Sequence, residues 1–258
     1  MVIVITGGSS GIGLETARLF SNNKEDIVYV LNRREVKENN INWIYCELLD
    51  NNSIRHAVNE ITNKHHIVDL LINNAGMGIS GALEFHNDED IKKIIDVNLT
   101  GLINITRYVL PFMKSGSKII NISSVAGPIS IPFQTMYSVT KAGVLAFSNG
   151  LRNEVRPLGI KVTSILPGDT KTGFTSSREK NLQKGRYNDR VEKSVNKMEL
   201  DESNGVPASK VAKKIIKVSK KKNPNTYYVV GLSYRFLVFL SRILPKRFVN
   251  WIIFKIYG

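Results

Sequence analysis

The sequence predicts an α/β fold: a doubly wound parallel sheet of about seven strands with helices on both faces. Three observations predict it. Short all-apolar runs such as Val2-Ile3-Val4-Ile5 lack the alternation of a half-exposed strand, so both of their faces are buried. Segments with helical apolar spacing separate these runs along the chain, as the crossovers between parallel strands require. Clusters of Gly, Ser and Asn fall just past the carboxyl ends of the strands, the edge where such sheets hold ligands.

Val2 to Thr6 is the first strand, and it runs directly into Gly7-Gly8-Ser9-Ser10-Gly11-Ile12-Gly13. A segment with apolar Leu14, Ala17, Leu19 and Phe20 follows, read as a helix. Strand, glycine loop and helix in that order bring backbone N–H groups and a helix N-terminus to a pyrophosphate, although the spacing Gly-x-x-x-Gly-x-Gly differs from the commoner Gly-x-Gly-x-x-Gly. The second strand, Ile27 to Leu31, ends at Asn32-Arg33-Arg34. Dinucleotide folds place there an acid for a ribose 2′-hydroxyl or a base for a 2′-phosphate. One Arg–phosphate contact is worth roughly 1.5–3 kcal/mol, so the sequence predicts NADP(H), held mainly through Arg33, over NAD(H).

The third strand, Trp43 to Cys46, ends at Glu47-Leu48, and a helix follows from Ser53 to Thr62. Val68 to Ile72 is a fourth strand, ending at Asn73-Asn74-Ala75-Gly76, small residues that leave room for a ligand or simply make a turn. Helices over Ile91–Val97 and Leu102–Met113 flank Asn98, a functional candidate or a plug that satisfies backbone groups. Ile119 to Ile122 ends at Ser123-Ser124, of which alternation lets only one face a site. Apolar spacing predicts a helix over Met136–Val155, then a strand over Ile160–Leu166 that ends at Pro167-Gly168-Asp169-Thr170-Lys171-Thr172. The stretch 173–206 is polar and poorly periodic apart from a helix near Arg190–Met198, and reads as a substrate loop or lid. A helix over Ala208–Val218 and a strand over Tyr227–Val230 complete the pattern. No repeat or low-complexity linker divides the chain, so residues 1–258 read as one domain.

Tyr137 and Lys141 lie four apart on the 136–155 helix and so project from one face. An ammonium beside a phenol that ordinarily titrates near ~10 favours its anion by about 3–4 kcal/mol and makes a usable acid near neutrality.

At 258 residues, 42% hydrophobic and 22% charged, the chain has the composition of a globular protein with a sizeable core. The single Cys46 forms no internal disulfide, and Met1 leads into Val2–Ile5 with no basic or long apolar leader, which implies a reducing, cytoplasmic setting. His56, His65, His66 and His86 have no metal-ligand spacing. The net charge of +14 exceeds what one dinucleotide needs. Its cations read as scattered, and without an aromatic-interleaved basic motif they imply solvated surface rather than a nucleic-acid site. The tail 234–257 mixes Phe, Leu, Ile and Trp with Arg235, Arg242, Lys246, Arg247 and Lys255 in runs too short to span a bilayer. It is open to three roles: peripheral contact with a membrane surface, a cover for the site, or a subunit interface.

Together, Thr6-Gly-x-x-x-Gly-x-Gly13, Asn73-Asn-Ala-Gly76, Asn98, Ser124, Tyr137-x-x-x-Lys141 and Pro167-Gly168 resemble the short-chain dehydrogenase/reductase family, a Rossmann-fold family, over about the first 170 residues. The stretch from Gly76 through Leu83-Glu84 to Asn98, with Pro132-Phe133, is similar to members acting on hydroxysteroids and retinoids. The resemblance implies hydride transfer between a nicotinamide and a ketone or secondary alcohol, here a lipophilic one (steroid-, retinoid- or acyl-like). Tyr137 would then be the general acid or base, with Ser124 on the substrate oxygen and Ser123 facing away. Lys141 would hold the nicotinamide ribose and Asn98 a relay water. Implied cofactor contacts are Gly7, Ser9, Ser10, Gly11, Ile12, Gly13, Arg33, Glu47, Leu48, Asn74, Ala75, Gly76, Pro167, Gly168, Thr170 and Thr172, together with Tyr137 and Lys141. Glu47 replaces the family's usual Asp, and Ser10 stands where a basic residue is frequent, so Arg33 carries the NADP preference largely alone. A homodimer or homotetramer is implied through the helices 102–113 and 136–155. Two other readings stand beside this one: a non-catalytic dinucleotide sensor or scaffold, and a membrane-surface protein acting through its tail.

Overall fold

The computed structural model describes residues 1–258. Seven strands form one parallel sheet: β1 (Val2–Thr6), β2 (Ile27–Asn32), β3 (Ile41–Tyr45), β4 (Leu70–Asn73), β6 (Lys118–Ile122), β7 (Lys161–Pro167) and β11 (Tyr227–Val230), in the order β11-β7-β6-β4-β1-β2-β3. The chain winds outward from β1 to β3, then crosses back to β4 and winds the other way. The switch therefore lies between β1 and β4, where the connections diverge and open a crevice at the strands' carboxyl ends.

Strand alternation divides the core. Ile3, Ile5, Val28, Val30, Leu70 and Ile72 pack on α1 (Gly11–Ser21) and α8 (Ala208–Ser219), through Ala17, Phe20, Val211, Ile215 and Val218. Val4, Tyr29, Leu31, Leu71 and Ile119 pack on α2 (Asn51–His65), α4 (Gly101–Val109) and α5 (Thr135–Glu154). Successive residues of β1 thus serve opposite helix layers, which is why no polar position interrupts it.

Outside 173–206, boundaries differ from those predicted by up to four residues. A larger difference lies around Asn98, where α3 (Asp88–Ile95) passes through the π-helical turn Asp96–Thr100 into α4 without the expected break. The widened turn displaces the helix hydrogen-bond register at Asn98, and such turns concentrate at functional sites.

The excursion 173–206 is folded. It holds α6 (Phe174–Ser177), β9 (Glu179–Asn181) and α7 (Arg190–Ser203). Two short parallel pairs tie it down: β9 to β5 (Ile79–Gly81), and β10 (Val206–Pro207) to β8 (Thr170–Lys171). Val191, Val195 and Met198 of α7 are buried against Ala82 and Phe133. Three apolar positions among charged neighbours are enough to seat the helix, but too few to make its period plain in sequence. The tail forms α9 (Leu232–Ile243) and α10 (Lys246–Tyr257), separated by the extended Leu244 and Pro245. Val238, Val249 and Ile253 cover Val125, Ile129 and Leu166.

Candidate active site

The loops after β1 and β4 are pinned to each other. Thr6 Oγ1 accepts from the backbone N–H groups of Asn74 and Ala75, each at 3.1 Å, while Asn74 Nδ2 donates to the Gly7 carbonyl at 3.0 Å. Gly7 has φ +66°, and a Cβ there would lie 2.8 Å from Ala75 Cα, so both its conformation and the close approach require glycine. In α1, Ser10 makes no side-chain cap and the first turn has no acidic residue, which leaves the N-terminal N–H groups open to an anion. This cradle fits a pyrophosphate.

Above the switch point lies a cleft of about 940 Å³. Its walls include Gly7, Ser9, Ser10, Gly11, Ile12, Arg33, Glu47, Leu48, Asn74, Ala75, Gly76, Ser124, Tyr137, Lys141, Pro167, Gly168, Thr170 and Thr172. Gly13 and Asn98, also expected at the site, stand behind the wall. A Cβ at Gly13 would meet Asn74 Nδ2 at 2.5 Å, so that glycine serves the packing of α1 against the second loop. Asn98 is buried with its amide bonded to protein: Oδ1 accepts from Met77 N–H at 2.7 Å, and Nδ2 donates to the Met77 carbonyl at 2.9 Å and to Thr140 Oγ1 at 3.1 Å.

Ser123 and Ser124 divide their tasks as alternation requires. The buried Ser123 hydroxyl donates to the Lys141 carbonyl at 2.8 Å, whereas Ser124 lines the cleft beside Tyr137. The Lys141 ammonium donates to the Ile122 carbonyl at 3.0 Å and lies 5.6 Å from the Tyr137 ring centroid, so the two side chains do share one face of α5. Their electrostatics correct the expectation that Lys141 depresses the phenol. Burial pushes Tyr137 up to about 12, with Ser124 acting the other way, and burial brings Lys141 down to about 8. Desolvation disfavours both charged forms, and the ammonium is directed at the Ile122 carbonyl.

At the opposite end of the cleft, Arg33 is exposed and pairs with Glu47 at 3.3 Å. The pair holds a cation at the cleft mouth. Asn32 also lines this end, and its buried Oδ1 has no donor. Asn32, which ends the second strand beside Arg33, thus joins the residues expected at this end.

Several lining residues had no readable signal. Phe174 lies 5.7 Å from Tyr137, ring to ring, and Met77, Ile131, Met198, Glu202 and Tyr257 complete that end. Behind it the buried Arg178 pairs with Glu202, whose Oε2 also accepts from Thr175 Oγ1 at 2.6 Å. These residues come from five separate segments, and the packing of α6, α7 and α10 brings them together.

The short chain dehydrogenase family profile matches residues 1–183. The 3-ketodihydrosphingosine reductase of Bacteroides thetaiotaomicron is 38% identical over 236 residues, covering 89% of this chain and 87% of that protein. Among solved structures, a short-chain dehydrogenase from Streptomyces avermitilis superposes with a TM-score of 0.82 at 25% identity, covering 92% of this chain and 90% of that one. ElxO with NADP bound gives 0.75 at 25% identity, covering 91% and 98%. Motif order, sheet topology and these likenesses agree, and the chain belongs to the short-chain dehydrogenase/reductase family of oxidoreductases.

Proposed function

We propose that this protein is an NADP(H)-dependent reductase of a lipophilic ketone, acting in reverse on the matching secondary alcohol. The observation that carries the reading is a half-buried phenol, held protonated well past neutrality, beside Ser124 and Lys141 in a cleft that also contains a phosphate cradle. Hydride for the carbonyl carbon would come from a nicotinamide held in this cleft. Tyr137 then gives its proton to the oxygen, and the Ser124 hydroxyl hydrogen-bonds that oxygen and orients it. Lys141 would hold a sugar hydroxyl of the cofactor with its ammonium, and its charge would favour the phenolate left by the transfer. Asn98 keeps the Gly76–Met77 backbone against α5, and a relay water at this residue would use the second lone pair of Oδ1.

Arg33 supports the phosphorylated cofactor, because it is a cation at the cleft mouth where the second strand ends. Met77, Ile131, Phe174 and Met198 support an apolar substrate. The ketone named for the Bacteroides relative favours an acyl-like chain over a steroid or retinoid.

The test follows nicotinamide absorbance with NADPH or NADH and a panel of 3-ketodihydrosphingosine, 3-oxoacyl thioesters, steroid ketones and retinal. NADPH-dependent turnover of a long-chain ketone, lost in Tyr137→Phe, is expected. Binding of NADPH without turnover of any carbonyl would replace the enzyme reading with a dinucleotide sensor.

A further inference from the structure

The charge of this chain is concentrated at one end. From Ser203 to Gly258 there are twelve Lys and Arg residues and no Asp or Glu, so this stretch supplies twelve of the net fourteen positive charges. The cations that read as scattered are thus segregated. None of the twelve forms an ion pair with a carboxylate, whereas thirteen cationic groups in the preceding chain do so.

Five of them surround one concavity. Lys214 and Lys217 of α8, Lys221 just past its end, and Arg235 and Arg242 of α9 line a pocket of about 430 Å³ together with Tyr227 and Tyr228. Lys214 lies 4.8 Å from the Tyr228 ring centroid and Arg242 4.8 Å from that of Tyr227. Burial, together with Arg235, Lys217 and Lys221, pulls the Lys214 pKa down, as expected for cations gathered without a counter-charge.

Beside this pocket runs an apolar stripe. Leu232, Phe236, Phe239 and Ile243 recur along α9 and are 81%, 63%, 57% and 64% exposed. On α10, Phe248, Trp251 and Phe254 are about half exposed as well. Each helix has twelve residues, about 18 Å, and no helix of the chain is long and apolar enough to cross a membrane. The opposite faces are already committed to Val125, Ile129 and Leu166, and Tyr257 reaches the cleft.

We propose that α8, α9 and α10 form a docking surface for an anionic phospholipid bilayer, with lipid phosphate in the five-cation pocket and the exposed Phe and Trp side chains in the interfacial layer. Charge selects this occupant. A second copy docking through the same face would bring together two five-cation pockets with no carboxylate between them, and an apolar peptide would leave the pocket without counter-charge. The geometry also places the bilayer next to the Tyr257 end of the cleft, where a lipophilic substrate would enter. The docking itself does not depend on the catalytic reading.

The full chain is sedimented with vesicles of phosphatidylglycerol and phosphatidylcholine, or of phosphatidylcholine alone, at low and high salt. Binding to the anionic vesicles alone, weakened by salt, is expected. Changing Lys214, Lys217, Lys221, Arg235 and Arg242 together to Gln should lower partitioning by about a hundredfold or more. Phe236→Ser with Phe239→Ser should lower it as well, with circular dichroism confirming that the variants fold. Wild-type protein gives a readout independent of any variant: brominated phosphatidylglycerol should quench Trp251, while Trp43, in β3, supplies the unquenched baseline. Equal sedimentation with and without anionic lipid, unquenched Trp251, or unchanged binding by the five-Gln variant would overturn the proposal. Release by millimolar inorganic phosphate at constant ionic strength would do so too, assigning the pocket to free phosphate, and retention on RNA but not on vesicles would assign it to nucleic acid.

Discussion

Asn98 grips Met77 by both ends of its peptide-like amide, accepting from the Met77 N–H at 2.7 Å and donating to the Met77 carbonyl at 2.9 Å. A third bond, to Thr140, fastens this pair to α5 one residue before Lys141. The residue therefore joins the loop after β4 to the helix that carries Tyr137. Asn98→Ala leaves a buried N–H and C=O unpaired, each costing about 1–3 kcal/mol. Denaturant melts should show roughly 2–4 kcal/mol of lost stability. A loss below about 0.5 kcal/mol would mean that the loop is held from elsewhere.

Tyr137→Phe removes the proton donor while keeping the ring that packs on Phe174. Carbonyl reduction should fall about 10²–10⁴-fold with the dissociation constant for NADPH nearly unchanged. Parallel loss of cofactor binding would show that the hydroxyl serves the cofactor pocket more than the chemistry.

Burial disfavours the charge of Lys141 and brings it down from its ordinary 10.5 to about 8. Cofactor affinity that depends on its ammonium should be full below pH 7 and fall as pH rises through about 8 in the free protein. Fluorescence titrations of NADPH across pH 6–10 would reveal this limb, and Lys141→Met should bind weakly and flatten it.

The same shift has a stability sign. The unfolded chain binds this proton up to about 10.5 and the folded chain only to about 8, so folding opposes protonation below pH 8, and stability from this group rises between the two values. The full penalty is present at neutral pH, of order 3 kcal/mol, offset in part by the bond to the Ile122 carbonyl. Lys141→Met should accordingly raise stability at pH 7 by about 1–2 kcal/mol and lose most of that advantage by pH 11. A destabilised variant would show that the hydrogen bond outweighs desolvation.

Arg33 is tied to Glu47, which competes for the guanidinium with any phosphate at the cleft mouth. Arg33→Ala should cut the NADPH-over-NADH ratio of kcat/KM by about ten- to a hundredfold, mostly through KM for NADPH. Glu47→Gln should move that ratio the other way by a few-fold. An unchanged ratio in both variants would remove Arg33 from cofactor choice.

Arg178 and Glu202 form a buried pair whose members are poorly replaced singly. Arg178 Nε and Nη1 have no other partner, so Glu202→Gln strands a buried cation and should cost about 3–5 kcal/mol. Combining it with Arg178→Met should recover most of that loss in thermal melts. Failure of the double variant to recover would mean that the pair's geometry, not its charge, holds α7 in place.

Sequence alone determined the order of strands and crossover helices, because apolar runs buried on two faces and amphipathic helices carry their periods locally. It also placed the glycine loop, Ser124, Tyr137 and Lys141, since alternation along a strand and the four-residue repeat of a helix fix side-chain direction without knowledge of the fold. Tertiary structure decided the rest. The Tyr137 and Lys141 titrations depend on how deeply packing buries each group, and desolvation reversed the direction expected for the phenol from spacing alone. Glu202, Phe174 and Tyr257 meet in the cleft only because α6, α7 and α10 pack around it; their sequence distances of tens of residues carry no period to read. The tail's charge was present in the sequence throughout, but its gathering into one pocket beside an exposed apolar stripe required α8 and α9 to lie side by side, which no local pattern encodes.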